Sequence, residues 1–240
     1  MSTFLTAEWR KLIMAQWTVK PERLMPHLPR GLEFDLYEGR CYVSLVAFLF
    51  DRVRLKGLPI PFHSRFEEIN LRFYVKRREP DGTIKRGVVF IREFVPRATI
   101  AYVARRFYEE PYIAIPTRHH IERGPDNLFV QYSWNLGGRP HSIAVNANPN
   151  PSEIVPGSEE EFITEHYWGY TKRTDGSTSA YEVQHPRWQT YKLHGEKYRI
   201  EVDMGILYGP AFAFLTDEWV SSVLLAEGSA VNVHSGERIV

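Results

Sequence analysis

A chain of 240 residues with 30 basic and 29 acidic side chains carries a formal charge of +1, which gives no reason to expect phosphate-backbone binding, since that relies on a strong basic patch or stripe. The length suits one large domain that buries roughly 70–75% of its unfolded surface, so neither disulfides nor a structural metal is needed for folding. Cys41 is the single cysteine; it has no intrachain partner and, with no cysteine-protease signature around it, reads as a small buried residue.

No run of about 18 apolar residues occurs, and Glu8, Arg10 and Lys11 interrupt the apolar N-terminal stretch where a signal peptide needs an unbroken core. The expectation is one domain over residues 1–240, soluble and cytoplasmic, with no nucleic-acid or membrane partner. Arginines number 22 against 8 lysines, so planar forks for carboxylates or phosphates are plentiful and candidates for Schiff-base chemistry are few. Genomic base composition accounts for that bias equally well.

In chain order, a strand near 10–18 leads into a short helix that opens at Pro21, where proline is pre-organised for helix entry, and stops at "LPRGL". The apolar, aromatic and β-branched run 40–50 reads as a buried strand. In "EEINLRFYVKRRE", Ile69, Leu71, Phe73 and Val75 alternate with Asn70, Arg72, Tyr74 and Lys76, a period-two pattern with one apolar and one polar face. "EPDGTIK" supplies a turn and 87–95 the returning strand of an antiparallel hairpin. Ile100, Val103, Ala104 and Phe107 then follow helical spacing, so 97–107 reads as an amphipathic helix.

Strands are predicted at 112–122, 127–136 and 140–147, followed by the proline-broken "NANPNPSEIVPGS", read as a loop or lid. Ser158 and Glu161 have capping-box spacing before a short helix at 159–165. Further strands are predicted at 166–172, 179–185, 188–194, 197–204, 211–216, 220–225 and 230–234. Many strands, few short helices and no regular β-α alternation point to a mainly β (α+β) domain, an antiparallel sheet closed or nearly closed into a barrel.

"EWRKLIMAQWTVKPERLMPHLPRGLEFDLYEGRCYVSLVAF", "FEEINLRFYV" with "GVVFIREF" and "ARRFYEEPY", and "ITEHYWGYT" with "VQHPRWQTYKL" together resemble the YqjF-like family of uncharacterised bacterial proteins over nearly the full chain. That family is placed in the acetoacetate decarboxylase-like superfamily. The resemblance implies a large, cone-shaped antiparallel β-barrel around a pocket and leaves room for a homo-oligomer. It also implies that Arg10 takes the place of an arginine that helps bind the substrate carboxylate. The decarboxylases carry Gly-Arg-Glu and, a few residues on, Pro-Lys-Lys, whose first lysine forms the Schiff base. Here "ARR" matches the first element with Arg105 on its arginine, and Pro111-Tyr112-Ile113 falls on the second; an alternative register uses Pro116-Thr117-Arg118. Neither register contains a lysine. Amine-dependent decarboxylation needs a neutral lysine whose pKa is lowered by burial and a neighbouring ammonium, and no two of the eight lysines are adjacent. Acetoacetate decarboxylation is therefore rejected while the scaffold is kept.

The candidate site is Glu68 as acid or base, sharing a strand face with Asn70 and Arg72, and Tyr112 in the position of the lost lysine; the alternation leaves open which face of the strand lines the pocket, and a solvated or salt-bridged Glu68 is the alternative. Arg10, Arg105, Arg118 and His119 are candidate ligand contacts, although Arg105 could equally hold a structural ion pair. Neighbouring side chains on a strand point to opposite faces, so His119 and His120 do not share a metal easily. Without HExxH or paired C-x-x-C motifs, no metal or other cofactor is expected, and no G-x-S-x-G elbow is present. His185, Trp188 and Tyr191 read as core packing. The expected ligand is small and anionic or oxygen-rich. The rival is a non-catalytic protein whose pocket is filled by Phe73, Tyr74 and Tyr112.

Overall fold

The computed structural model describes residues 3–60, 63–99, 102 and 111–240. Its strands are β1 (Thr3–Val19), β2 (Glu33–Phe34), β3 (Cys41–Leu55), β4 (Leu58–Pro59), β5 (Phe66–Arg78), β6 (Ile84–Val95), β7 (Tyr112–Ala114) and β8 (Thr117–Arg123). There follow β9 (Leu128–Leu136), β10 (Arg139–Glu153), β11 (Trp168–Lys172), β12 (Thr178–Gln184), β13 (Gln189–Glu201), β14 (Ser222–His234) and β15 (Glu237–Arg238). Helix α1 (Glu159–Thr164) lies between β10 and β11, and α2 (Met204–Tyr208) between β13 and β14.

The strands β14-β1-β3-β5-β6-β11-β12 pair in that order, and β12 returns to β14 through Val183↔Val233 and Gln184↔Asn232, which closes a ring. Its joints are antiparallel except β6–β11, which is parallel at Trp168↔Gly87. From β14 the sheet also runs on through β13, β10 and β9 to β8. These strands cover the outer face of the wall formed by β1, β3 and β5. Ile13, Leu45, Ile69, Leu71 and Phe73 meet Val130, Tyr132, Ile143 and Val145 in that outer core. The inner face of the ring carries a second core with Leu12, Met14, Val46, Phe48, Tyr74 and Tyr181.

The two cores explain why β5 is buried from Phe66 to Val75 on both sides. Its odd-numbered residues meet the outer layer and its even-numbered ones face into the ring, as the two-residue period of a strand requires. The face that reads as polar in the sequence is thus the interior of the ring.

Several predicted boundaries move for identifiable reasons. β10 runs through Pro149 and Pro151 rather than breaking at Asn146; its pairing with β13 is already irregular between Val145 and Pro151, where missing N–H groups are tolerated. The predicted strand 211–216 is a 3-10 helix, Pro210–Thr216, entered by proline after Gly209 at φ 95°. The stretches 188–194 and 197–204 merge into β13, and 220–225 and 230–234 merge into β14, which passes through Gly228 at φ 79°. Residues 112–122 divide at Pro116 into β7 and β8. The α1 cap forms as expected on its serine side, with Ser158 Oγ accepting from Glu161 N at 3.2 Å, while the Glu161 carboxylate accepts from Gly157 N instead. The helix expected over 97–107 falls largely on residues outside those described.

Candidate functional site

The ring encloses a cavity of about 310 Å³, in the range of small-molecule sites. Its walls are apolar and rich in rings: Trp9 and Leu12 of β1, Phe48 and Phe50 of β3, Phe66 of β5, Phe90 of β6, Trp168 of β11 and Tyr181 of β12. Gly169 makes room for one of these rings, since a Cβ there would lie 2.2 Å from the Tyr181 ring. Against this apolar surface stands a compact set of polar side chains: Glu68, Asn70, Arg72, Glu93, Tyr112 and His166.

Register assembles that set. On β5, Glu68, Asn70 and Arg72 occupy successive inward positions, opposite Phe48, Val46 and Ser44 of β3. On β6, a bulge between the pairs Leu71↔Arg92 and Arg72↔Phe90 inserts one residue and resets the alternation. Phe90 and Glu93 can therefore both face inward although three positions separate them. β7 runs parallel beside β6 with Tyr112 at Glu93, which carries the phenol to Glu68. The Tyr112 hydroxyl donates to Glu68 Oε2 at 2.9 Å, and Asn70 Nδ2 donates to Oε1 at 3.0 Å.

Burial dominates the electrostatics of Glu68 and lifts its pKa to about 7, against the hydrogen bonds from Asn70 and Tyr112 and the Arg72 charge. Both protonation states are then accessible at neutral pH, the condition for general acid or base work. Arg72 is only 9% exposed and makes no salt bridge among the described residues; its Nη2 donates to the Ile163 carbonyl at 3.3 Å and its Nε finds no partner. A buried guanidinium left without a carboxylate is costly, so an anion in the cavity would relieve it.

His166, just before β11, forms the other polar end. Its Nε2 lies 3.1 Å from Asp35 Oδ2, which also accepts from Arg86 Nε at 2.5 Å. Burial pushes the imidazole down to about 4, more than the Asp35 hydrogen bond raises it. Burial would raise Asp35, but the hydrogen bonds from His166 and Arg86 and the Arg86 charge hold its carboxyl below the usual range.

Residues 6–230 match the DUF2071 family, described as an uncharacterised conserved protein. The chain belongs to this family. The uncharacterised protein YqjF of Bacillus subtilis (strain 168) is 31% identical over 191 residues, 78% of this chain and 75% of YqjF. Among solved structures, acetoacetate decarboxylase from Legionella pneumophila superposes with a TM-score of 0.64 at 10% identity, over 100% of this chain and 90% of that one. An acetoacetate decarboxylase-like enzyme from Sphingomonas wittichii RW1 gives 0.66 at 10% identity, over 100% and 94%. The enduracididine biosynthesis enzyme MppR complexed with pyruvate gives 0.66 at 13% identity, over 99% and 91%. At these identities the likeness is one of fold, and the expected acetoacetate decarboxylase-like architecture is the one observed.

Within the DUF2071 fold, the candidate residues part company. Glu68 and Tyr112 meet at the cavity. Arg10 does not line it: its guanidinium takes Glu8 Oε2 at 2.8 Å and Glu227 Oε1 at 3.5 Å. Arg118 is exposed on β8. His119 Nδ1 meets Glu67 Oε1 at 2.5 Å, with Thr117 Oγ1 donating to the same carboxylate at 2.7 Å. Glu67 is an odd-numbered residue of β5, so this cluster sits on the opposite face from the cavity. Arg105 lies outside the described residues. No lysine is among the residues that line the cavity, and Lys11 is bound to Tyr191 and Glu227 instead. Phe73, expected by the rival reading to fill the pocket, packs in the outer core, whereas Tyr74 hydrogen-bonds Ser44 at 2.7 Å. Arg72 was legible as a same-face neighbour of Glu68, but its lack of a salt bridge among the described residues was not; His166 and Asp35 gave no sequence signal. No helix among the described residues is long and apolar enough to cross a membrane.

Proposed function

We propose that this protein binds a small organic acid inside the ring, with the carboxylate on Arg72, the apolar body against the aromatic walls, and Glu68 with Tyr112 as a proton-handling pair beside it. The observation that carries this reading is the buried Arg72 guanidinium, without an ion-pair partner among the described residues, at the wall of the cavity. The pyruvate complex of the fold relative MppR supports a small acid as the ligand class. Chemistry here runs without an amine. Glu68 and Tyr112 can donate to or accept from a carbonyl or enol oxygen, but neither forms an iminium ion.

A thermal-shift screen of keto acids, hydroxy acids and lactones tests the reading. A binding acid at 100 times its Kd adds about 2.7 kcal/mol of stability by mass action. Arg72→Met keeps the apolar stem and removes the fork, so affinity is expected to fall roughly 30-fold or more, the consequence of losing one side of a buried charge pair worth about 2 kcal/mol or more. An undiminished shift in the folded variant would remove Arg72 from the site. Separately, borohydride reduction in the presence of acetoacetate is expected to leave all lysines unmodified; a trapped lysine would restore Schiff-base chemistry.

A further inference from the structure

Among the described residues that line the cavity, Arg72 Nε, Asn70 Oδ1 and His166 Nδ1 are buried side-chain polar atoms without a partner, as is the indole donor Trp9 Nε1. Native interiors satisfy nearly all such atoms, so each orphan calls for a group of matching polarity. Arg72 Nε is a donor and fits the carboxylate already assigned to it. Asn70 Oδ1 and His166 Nδ1 require the opposite.

The tautomer of His166 follows from its partners. An ionised Asp35 only accepts, so the proton between Asp35 Oδ2 and His166 must sit on Nε2. In the neutral ring Nδ1 is then a bare lone pair. The ring is fixed in that role: its side chain is 1% exposed, the Phe162 ring packs edge-on at 5.1 Å and the Tyr74 ring at 4.8 Å, and Arg86 holds Asp35 from the far side. Glu68, Arg72 and His166 line the same cavity, and the Arg72 charge acts on both of the others. Burial pushes those groups in opposite directions, Glu68 up against its hydrogen bonds and the Arg72 charge, and His166 down, the arrangement that keeps one as an acid and the other as a base at the same pH.

We propose that His166 Nδ1 is a hydrogen-bond acceptor for a ligand hydroxyl, so that the cavity selects a hydroxy acid with an apolar body over the acid lacking that hydroxyl. The inference rests on the carboxylate reading at Arg72 and adds the second contact. A site built to receive a hydroxyl discriminates sharply against the analogue without one, because its buried acceptor is then left unpaired. A plain or keto acid leaves Nδ1 empty; a hydroxy acid fills it.

The full-length protein, labelled with 15N-histidine, provides the test with 3-phenyllactate, phenylpyruvate and 3-phenylpropanoate as probes. His166 is expected to show the Nε2–H tautomer in the free protein at pH 7. Its Nδ1 resonance should move with 3-phenyllactate and stay in place with 3-phenylpropanoate, and 3-phenyllactate should bind at least tenfold more tightly than either other acid. His166→Gln keeps a donor for Asp35 and should level the three affinities while Arg72-dependent binding persists. Equal affinities in the wild type, or a proton on Nδ1, overturn this inference and leave the Arg72 reading standing. Failure of every acid to bind overturns both.

Discussion

Glu68→Gln is expected to change the pH dependence of stability by about 3 kcal/mol between pH 4 and pH 8. In the wild type the carboxyl titrates near 7 when folded and near 4.5 when unfolded. Below pH 4.5 both states hold the proton. Between 4.5 and 7 only the folded state does, so stability falls as pH rises, by about 1.4 kcal/mol for each pH unit, and levels off above 7. Glutamine never ionises and removes that slope, while still offering Tyr112 an acceptor. His166 works in the other direction: its folded pKa of about 4 lies below the ordinary 6.5, so its contribution is lost as pH falls from 6.5 towards 4. The two largely offset each other over the shared window, and the wild-type profile there should be flatter than that of the Gln variant. Urea melts at half-unit pH intervals give the result; parallel profiles for the two proteins would show that Glu68 ionises normally.

Gly228→Ala is expected to cost about 3–5 kcal/mol, combining a left-handed backbone for a non-glycine residue with steric overpacking. Gly228 sits inside β14 at φ 79°, opposite Arg10 of β1, and an added Cβ would lie 2.0 Å from the Trp9 carbonyl oxygen. The obstacle is backbone rather than a movable side chain, so one of two central ring strands must shift. Trp9 lines the cavity; loss of ligand response should therefore accompany the fall in stability. An alanine variant melting within about 1 kcal/mol of the wild type would contradict the close approach, since either term alone exceeds that.

The same β14–β1 seam explains why Arg10 is a poor guide from sequence alone. A strand arginine that matches a carboxylate-binding position looks available until Glu227 is brought across from β14, and Lys11, at φ 54° in a bulged stretch of β1, takes the same carboxylate. Arg72 presents the reverse case. It reads as one more residue on a polar face, yet the ring wraps that face and, among the described residues, brings no carboxylate within ion-pair distance of the guanidinium. Strand alternation specifies which residues share a face; it says nothing about what stands opposite.

By itself the sequence determined the strand-dominated class, the β5–β6 hairpin, the separation of Ile69, Leu71 and Phe73 from Glu68, Asn70 and Arg72, and the absence of a lysine where Tyr112 stands. These are local properties, set by side-chain period, turn chemistry and residue identity over a few positions. Tertiary structure alone decided which face of β5 looks into the cavity, that a bulge in β6 turns Glu93 inward, and that His166 finds Asp35 across 131 positions of chain. Those outcomes depend on ring closure and on charges brought together over long sequence separations, where desolvation and pairing set the chemistry of each group and no local pattern records them.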